Sequence, residues 1–134
     1  MIEFHFVDVP PIDLKHIEKW YELVCEKEGK QLGPMSVVLG TDEWLLEQNK
    51  RYLNHDFYTD IITFDYTEAN VVSGDLLISK DRVNENALTY NVSRETELNR
   101  VVVHGLLHLI GYKDESEEES KIMREKEDFY LSLL

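Results

Sequence analysis

The sequence predicts an α+β fold, a small mixed four-stranded sheet packed with helices in the order βαβαββααα. Three observations lead there. Short, β-branched or alternating apolar runs bounded by turn residues all fall before Lys80, whereas beyond Lys80 the pattern is helical to the end. The 134 residues match the roughly 100–200 of one ordinary domain, so residues 1–134 are read as a single domain. Hydrophobic residues make up 43% of the chain, enough to build a core without disulfide staples.

Ile2 to Asp8 alternates apolar and polar residues as a strand with one buried face does, with His5 on the polar side and Pro10-Pro11 as the stop. Asp13 can cap a helix whose Ile17, Trp20, Tyr21 and Val24 form one apolar stripe, and Gly29 with Gly33-Pro34 ends that segment. Ser36 to Gly40 reads as an inner strand. Thr41 or Asp42 caps a second helix running to about Leu53, followed by a loop from Asn54 to Thr59. Asp60–Asp65 and Gly74–Ser79 read as two strands joined by a hairpin-length linker. Ser93 caps a helix over Arg94–Ile110. Ser116 to Glu119 spells a capping box that opens a last helix, with Ile122, Met123, Phe129, Tyr130 and Leu133 expected on its inner side.

Charge and cysteine content narrow the function classes. Fourteen Lys and Arg against 27 Asp and Glu give a net charge of −13, which argues against coating a membrane or a nucleic acid through the field of the whole surface. A polyanionic partner would need a local basic patch. Cys25 is the only cysteine, which excludes an intramolecular disulfide and a cysteine-rich metal site and fits a reducing compartment. The first residues lack a basic stretch before an apolar run, and no window reaches the roughly 20 apolar residues of a membrane span. The expectation is a soluble, cytoplasmic protein with no membrane partner.

The chemistry concentrates between His104 and Asp114, in the pattern H-x-x-x-H-x-x-G-x-x-D. Helical residues four apart carry Cβ atoms about 5–6 Å from one another on one face, so His104 and His108 can present two imidazoles to one ion. Gly111 can stop the helix in a left-handed conformation and let Asp114 bring a carboxylate back toward the rings. Two neutral imidazoles, one carboxylate and an open position are the ligand set of a catalytic rather than a closed structural zinc. The turn has the zincin-like, metzincin form with Asp in place of the last His. Gly105, however, stands where a zinc protease needs its Glu general base, which disfavours peptide hydrolysis.

His104-Gly-Leu-Leu-His-Leu-Ile-Gly-Tyr resembles the signature of the YbeY family of metal-dependent endoribonucleases. Thr59-Asp60-Ile61-Ile62-Thr63-Phe64 is similar to that family's T-D-V-L-S-F strand, and Gly74-Asp75-Leu76-Leu77-Ile78-Ser79 to its G-D-I-x-I-S strand. The resemblance runs in order from about Ser36 to Leu134. It implies a zinc-dependent, or nickel-dependent, single-strand endoribonuclease acting in 16S rRNA 3′-end maturation, ribosome biogenesis and ribosome quality control. Its partners would then be single-stranded RNA or rRNA and the small ribosomal subunit. The family signature closes with Gly-Tyr-Asp-His, whereas this chain has Lys113 and Asp114 at the last two positions, so Asp114 takes the third ligand position. His104, His108 and Asp114 are thus the expected metal ligands, with His104 also assigned to catalysis. The Arg and Pro that the family carries before T-D-V-L-S-F are Leu53 and Tyr58 here, which leaves Arg51 and His55 as the candidates for substrate contact.

Asp60 and Asp75, beside turns, are read as hydrogen-bonding staples. The acidic run after Asp114 is read as favourable charge at a helix N-terminus. Lys50, Arg51, Lys80, Arg82, Arg94, Arg100 and Lys113 are the cations that could rim a cleft. The alternative to an enzyme is a ribosome-associated binding factor with a structural metal and little catalysis.

Overall fold

The computed structural model describes residues 2–134, in the order β1 (Ile2–Val7), α1 (His16–Lys27), β2 (Gln31–Gly40), α2 (Asp42–Leu53), β3 (Ile61–Asp65), β4 (Val71–Ser79), α3 (Lys80–Tyr90), α4 (Arg94–Ile110) and α5 (Glu117–Leu131). The expected mixed four-stranded sheet is present. Its strand order is β1-β2-β4-β3, with β1, β2 and β4 parallel and β3 antiparallel to β4.

Strand alternation divides the sheet between two apolar faces. Val37, Leu39, Leu76 and Ile78 point into the main core, where they meet Ile17, Tyr21 and Val24 of α1, Val102, Leu106 and Leu107 of α4, and Met123 and Tyr130 of α5. Leu77, Ile62 and Val38 point the other way and make a smaller cluster with Leu45 and Trp44 of α2. Two side chains tie the helices of the main face together: Tyr21 Oη donates to Val102 O at 2.6 Å, and Trp20 Nε1 donates to Tyr130 O at 2.9 Å. Cys25 is a buried free thiol, pushed up to about 11 by burial and by the nearby charge of Glu28. No described helix is long and apolar enough to cross a membrane.

Several elements differ from the sequence reading, each for a local reason. Gly33-Pro34 does not end a segment but lies inside β2, at a shift of the β2–β4 register between Leu32 and Met35. Proline has no N–H to give the ladder. There the Pro34 carbonyl accepts from Ser73 Oγ at 2.6 Å. Asp13 does not cap α1; its Oδ1 accepts the Lys15 N–H at 3.0 Å, and the N-cap residue is Lys15. On α5, Ile122 and Phe129 are exposed, and the inner face is Met123, Glu127 and Tyr130. An i, i+4, i+7 stripe with a carboxylate in its middle is invisible to a search for apolar residues.

Helix α4 lies close against the sheet. A Cβ on Gly105 would come within 2.8 Å of Ile61 Cδ1 and 3.0 Å of Leu76 Cδ1, so a glutamate at this position would be driven into the core. Gly74 in β4 is tighter still, because a Cβ there would stand 2.3 Å from the Phe64 carbonyl oxygen and 3.0 Å from Leu109 of α4. Backbone cannot yield as a side-chain tip can. Gly74→Ala should therefore destabilise the fold by about 2 kcal/mol, within the range of overpacked cores. Urea unfolding is expected to show a lower midpoint with an unchanged slope.

Candidate metal centre

Helix α4 begins at the Ser93 cap, whose side chain accepts from Thr96 N, and its buried face carries Val102, Val103, Leu106 and Leu107. His104 and His108 sit one turn apart at the edge of that face, half-buried. The helix stops at Gly111, φ +128°, where Gly111 N reaches His108 O and Tyr112 N reaches Leu107 O at 3.0 Å. The bond from Tyr112 back to Leu107 is that of a Schellman stop, which turns the chain sharply. Asp114 is thereby returned over the end of α4.

The three side chains converge. His104 Nε2 and His108 Nε2 are 3.0 Å apart, Asp114 Oδ2 is 3.4 Å from His104 Nε2, and Asp114 Oδ1 is 3.6 Å from His108 Nε2. These are the only His, Cys, Asp or Glu residues among those described whose ligand atoms gather in this way. Bonds of about 2.0–2.2 Å from a tetrahedral divalent ion place neighbouring donor atoms about 3.3–3.5 Å apart. The two distances to the Asp114 carboxylate, one to each oxygen, are close to that length and the separation of the two nitrogens is a few tenths of an ångström shorter, with the fourth corner of the tetrahedron left to other ligands.

The outer nitrogens decide how the rings are protonated. His104 Nδ1 is 2.6 Å from Glu127 Oε2, and His108 Nδ1 is 3.0 Å from the Tyr112 carbonyl oxygen. Both partners only accept, so each ring carries its proton on Nδ1 and turns the Nε2 lone pair inward, as metal-ligating histidines do. Two lone pairs 3.0 Å apart repel unless a cation or a proton lies between them. Burial disfavours a charge on His104, but the Glu127 hydrogen bond and the charges of Glu127 and Asp114 outweigh it, and its pKa lies above the ordinary value. On His108, burial and the charge of His104 dominate, and its pKa lies below it. A proton shared by the pair therefore belongs to His104, and a metal must displace it.

Glu127, 5% exposed, is the residue that sequence reasoning missed. Burial pushes its carboxyl toward the neutral form, but bonds to His104 and to Arg100 Nη1, the latter at 2.8 Å, hold it below the usual value. The chain continues to Asp128, which accepts from Arg100 Nη2 at 2.7 Å. A second carboxylate, Glu28 at the end of α1, accepts from Tyr112 Oη at 2.5 Å, from Lys126 Nζ at 3.1 Å and from Tyr130 Oη. It ties the turn that follows Gly111 to α1 and α5.

A model of the family described as Endoribonuclease YbeY matches residues 7–134. A Parabacteroides distasonis protein named Endoribonuclease YbeY is 46% identical over 128 residues, covering 96% of this chain and 90% of its own length. A Flavobacterium johnsoniae protein of the same name is 44% identical over 134 residues, covering 99% and 96%. The chain belongs to the YbeY family. The solution structure of a Thermotoga maritima protein superimposes with a TM-score of 0.70 at 29% identity, over 98% of this chain and 87% of that one.

Within this YbeY chain, a small cleft of about 130 Å³ opens beside His104, lined among others by Asp60, Glu97, Arg124 and Glu127. Asp60, read from sequence as a staple, both lines this cleft and accepts Ser79 N through its carbonyl at 2.9 Å. Asp75 does act as a staple, accepting from Tyr66 Oη at 3.0 Å. Buried Glu97 has its carboxyl raised by desolvation, against the pull of Arg100. Arg51, exposed in the last turn of α2, stands 3.9 Å from Glu47, and His55 stacks on Phe57 with ring centroids 5.0 Å apart. Neither lines the cleft beside His104. Of the cations expected at its rim only Arg100 lines it, paired with Glu127, whereas Lys50 pairs with Asp56 and Arg82 with Asp42.

Two outcomes follow for this centre. Glu127→Gln keeps the shape but weakens the hold on the His104 tautomer, and should lower divalent-metal affinity by about 10–100-fold in a competition titration against a coloured chelator. For Glu28, burial favours the protonated form, but hydrogen bonds from Tyr112, Tyr130 and Lys126 prevail and lower its pKa from the ordinary 4.5. The folded chain then binds fewer protons than the unfolded one between the two values. This stabilisation is complete above the unfolded value and is lost as pH falls through the folded one. Glu28→Gln should cost about 2 kcal/mol at pH 7, as lost hydrogen bonds to a charged group do. Urea midpoints measured from pH 7 down to 3 should fall less steeply for the variant than for the parent.

Proposed function

We propose that this YbeY-family chain, residues 1–134 acting as one domain, is a zinc-dependent endoribonuclease that cuts single-stranded RNA in 16S rRNA 3′-end maturation and ribosome quality control in the cytoplasm. The observation that carries the reading is the convergence of His104 Nε2 and His108 Nε2, 3.0 Å apart, on the Asp114 carboxylate, whose Oδ2 lies 3.4 Å from the first and whose Oδ1 lies 3.6 Å from the second. Its relatives from Parabacteroides distasonis and Flavobacterium johnsoniae are named endoribonucleases, which points to RNA phosphodiesters as the bonds cut.

His104, His108 and Asp114 would hold the ion. Two imidazoles and a carboxylate suit zinc, with nickel the next candidate. A bound divalent ion supplies Lewis acidity toward a phosphate oxygen and makes water acidic enough to react near neutral pH. The protein's own groups do the rest. Glu127 fixes the His104 tautomer and, together with Arg100, keeps the ring oriented toward the cleft. Arg124, 3.9 Å from Glu127 and lining the same cleft, is the cation placed to meet a phosphate beside His104. Arg51, in the last turn of α2, and His55, on the loop that leads into Asp60, would contact RNA.

Purified protein should cut a short single-stranded RNA in a chelator-sensitive way and carry about one equivalent of metal. His104→Ala and His108→Ala should each lose that metal and at least 100-fold in cleavage rate, as removal of catalytic groups does. Asp114→Ala should weaken metal binding, whereas Asp114→His should retain it, because imidazole is also a good zinc ligand. Metal retained by the parent without any cleavage of RNA would favour the other reading, a ribosome-associated factor with a structural ion.

A further inference from the structure

A second cavity, larger than the cleft beside His104, lies elsewhere on the protein. It holds about 680 Å³ and lies between the segment that follows β1 (residues 12–16), the start of α3 and the start of α4. Strands β1 and β4 run parallel within the sheet and lead directly into two of these walls. The crevice outside the carboxyl ends of such strands is where open α/β sheets bind ligands. The volume suits a small organic molecule.

The lining specifies what kind. Ile12, Leu14, Val83 and Leu98 provide an apolar floor. Lys15, Lys80 and Arg94 reach the same cavity from three different elements. Among the described residues none of the three lies within 4.0 Å of a carboxylate, unlike Lys50, Arg82, Arg100 and Lys126, which are held in ion pairs. Three unpaired cations gathered on a chain of net charge −13 concentrate positive potential in one place. Two carboxylates share the rim. Asp13 is committed to the Lys15 N–H, and Glu95 sits in the first turn of α4, where the helix dipole favours it. Asn99 is 7% exposed, and His16 Nε2 occupies its Oδ1 at 2.8 Å, which leaves the Asn99 amide nitrogen as the donor available to the cavity.

From these groups we infer that the cavity binds a nucleotide unit, its base laid on the apolar floor and its phosphate held by Lys15, Lys80 and Arg94. An apolar slot closed by cations and an amide donor matches a flat ring joined to an anion. The unit can be a free nucleotide or one residue of single-stranded RNA. The second source rests on the endoribonuclease reading; the first does not. Asn99 and His104 share α4, about 7–8 Å apart along its axis and about 140° apart around it.

The test is a titration of ¹⁵N-labelled protein, in chelator to prevent cleavage, with adenosine 5′-monophosphate and separately with a short single-stranded oligoribonucleotide. Saturable amide shifts at Lys15, Asn84 and Asn99 with either probe are expected, and the probe that produces them identifies the source. Lys15→Gln/Lys80→Gln/Arg94→Gln should weaken binding at least tenfold. It should also flatten the plot of log affinity against log salt by about 0.7 for the oligonucleotide, the contribution of one phosphate contact on a single strand. Asn99→Asp, which keeps the acceptor for His16 but replaces the donor, should weaken binding as well. Shifts with neither probe, or a triple variant that binds like the parent, would overturn the inference. Cleavage assayed in parallel separates the two claims. Normal cleavage without shifts refutes the cavity alone, and shifts without cleavage refute the nuclease reading alone.

Discussion

One buried carboxylate organises the functional half of this molecule. Glu127 lies inside the α4–α5 interface and binds His104 on one side and Arg100 on the other. Removing a carboxylate from water costs several kcal/mol, and only partners with good geometry offset it. The arrangement therefore tolerates little change: His104 must present Nδ1–H, Arg100 must bridge to Asp128, and α5 must pack in one register. The sequence devotes the centre of an amphipathic stripe, between Met123 and Tyr130, to a charge. Its return is a His104 ring whose inner nitrogen is held ready to accept an ion.

The geometry is completed from the far side of the core. Tyr112, the residue after the Gly111 stop, is held by Glu28 of α1, which also takes Lys126 and Tyr130 of α5. Asp114 follows two residues later, its carbonyl accepting from Ser120 Oγ at 3.1 Å. A loop ligand set on two rigid anchors keeps its position better than one on a free loop. Close approach of α4 to the sheet at Gly105 and Gly74 supplies the remaining constraint.

How much of this was legible depended on the range of the interaction. The element order, the Thr41 and Ser93 caps and the Ser116 capping box follow from local patterns, and the structure shows each of them. Two imidazoles one helical turn apart and a glycine stop are likewise local, so the gathering of His104, His108 and Asp114 could be anticipated. Glu127 could not, because 23 residues separate it from His104 and a charged residue among helical glutamates carries no local signal. The exposure of Ile122 and Phe129 is the same failure seen from the other side. Gly33-Pro34 misled because proline and glycine usually end a segment, whereas β2 takes them up at a shift in register. The cations before the β3 strand and around α4 could be counted but not placed: most pair locally, and Lys80 and Arg94 join Lys15 at a different cavity.

The central claim is that one divalent ion is held by two imidazole nitrogens and one carboxylate oxygen at the end of α4. Anomalous diffraction at the zinc edge, from crystals of zinc-loaded protein, tests it most directly. The account predicts one strong peak about 2.0–2.2 Å from His104 Nε2, His108 Nε2 and an oxygen of Asp114. A fully occupied ion elsewhere, or bound without Asp114 as a ligand, would contradict it.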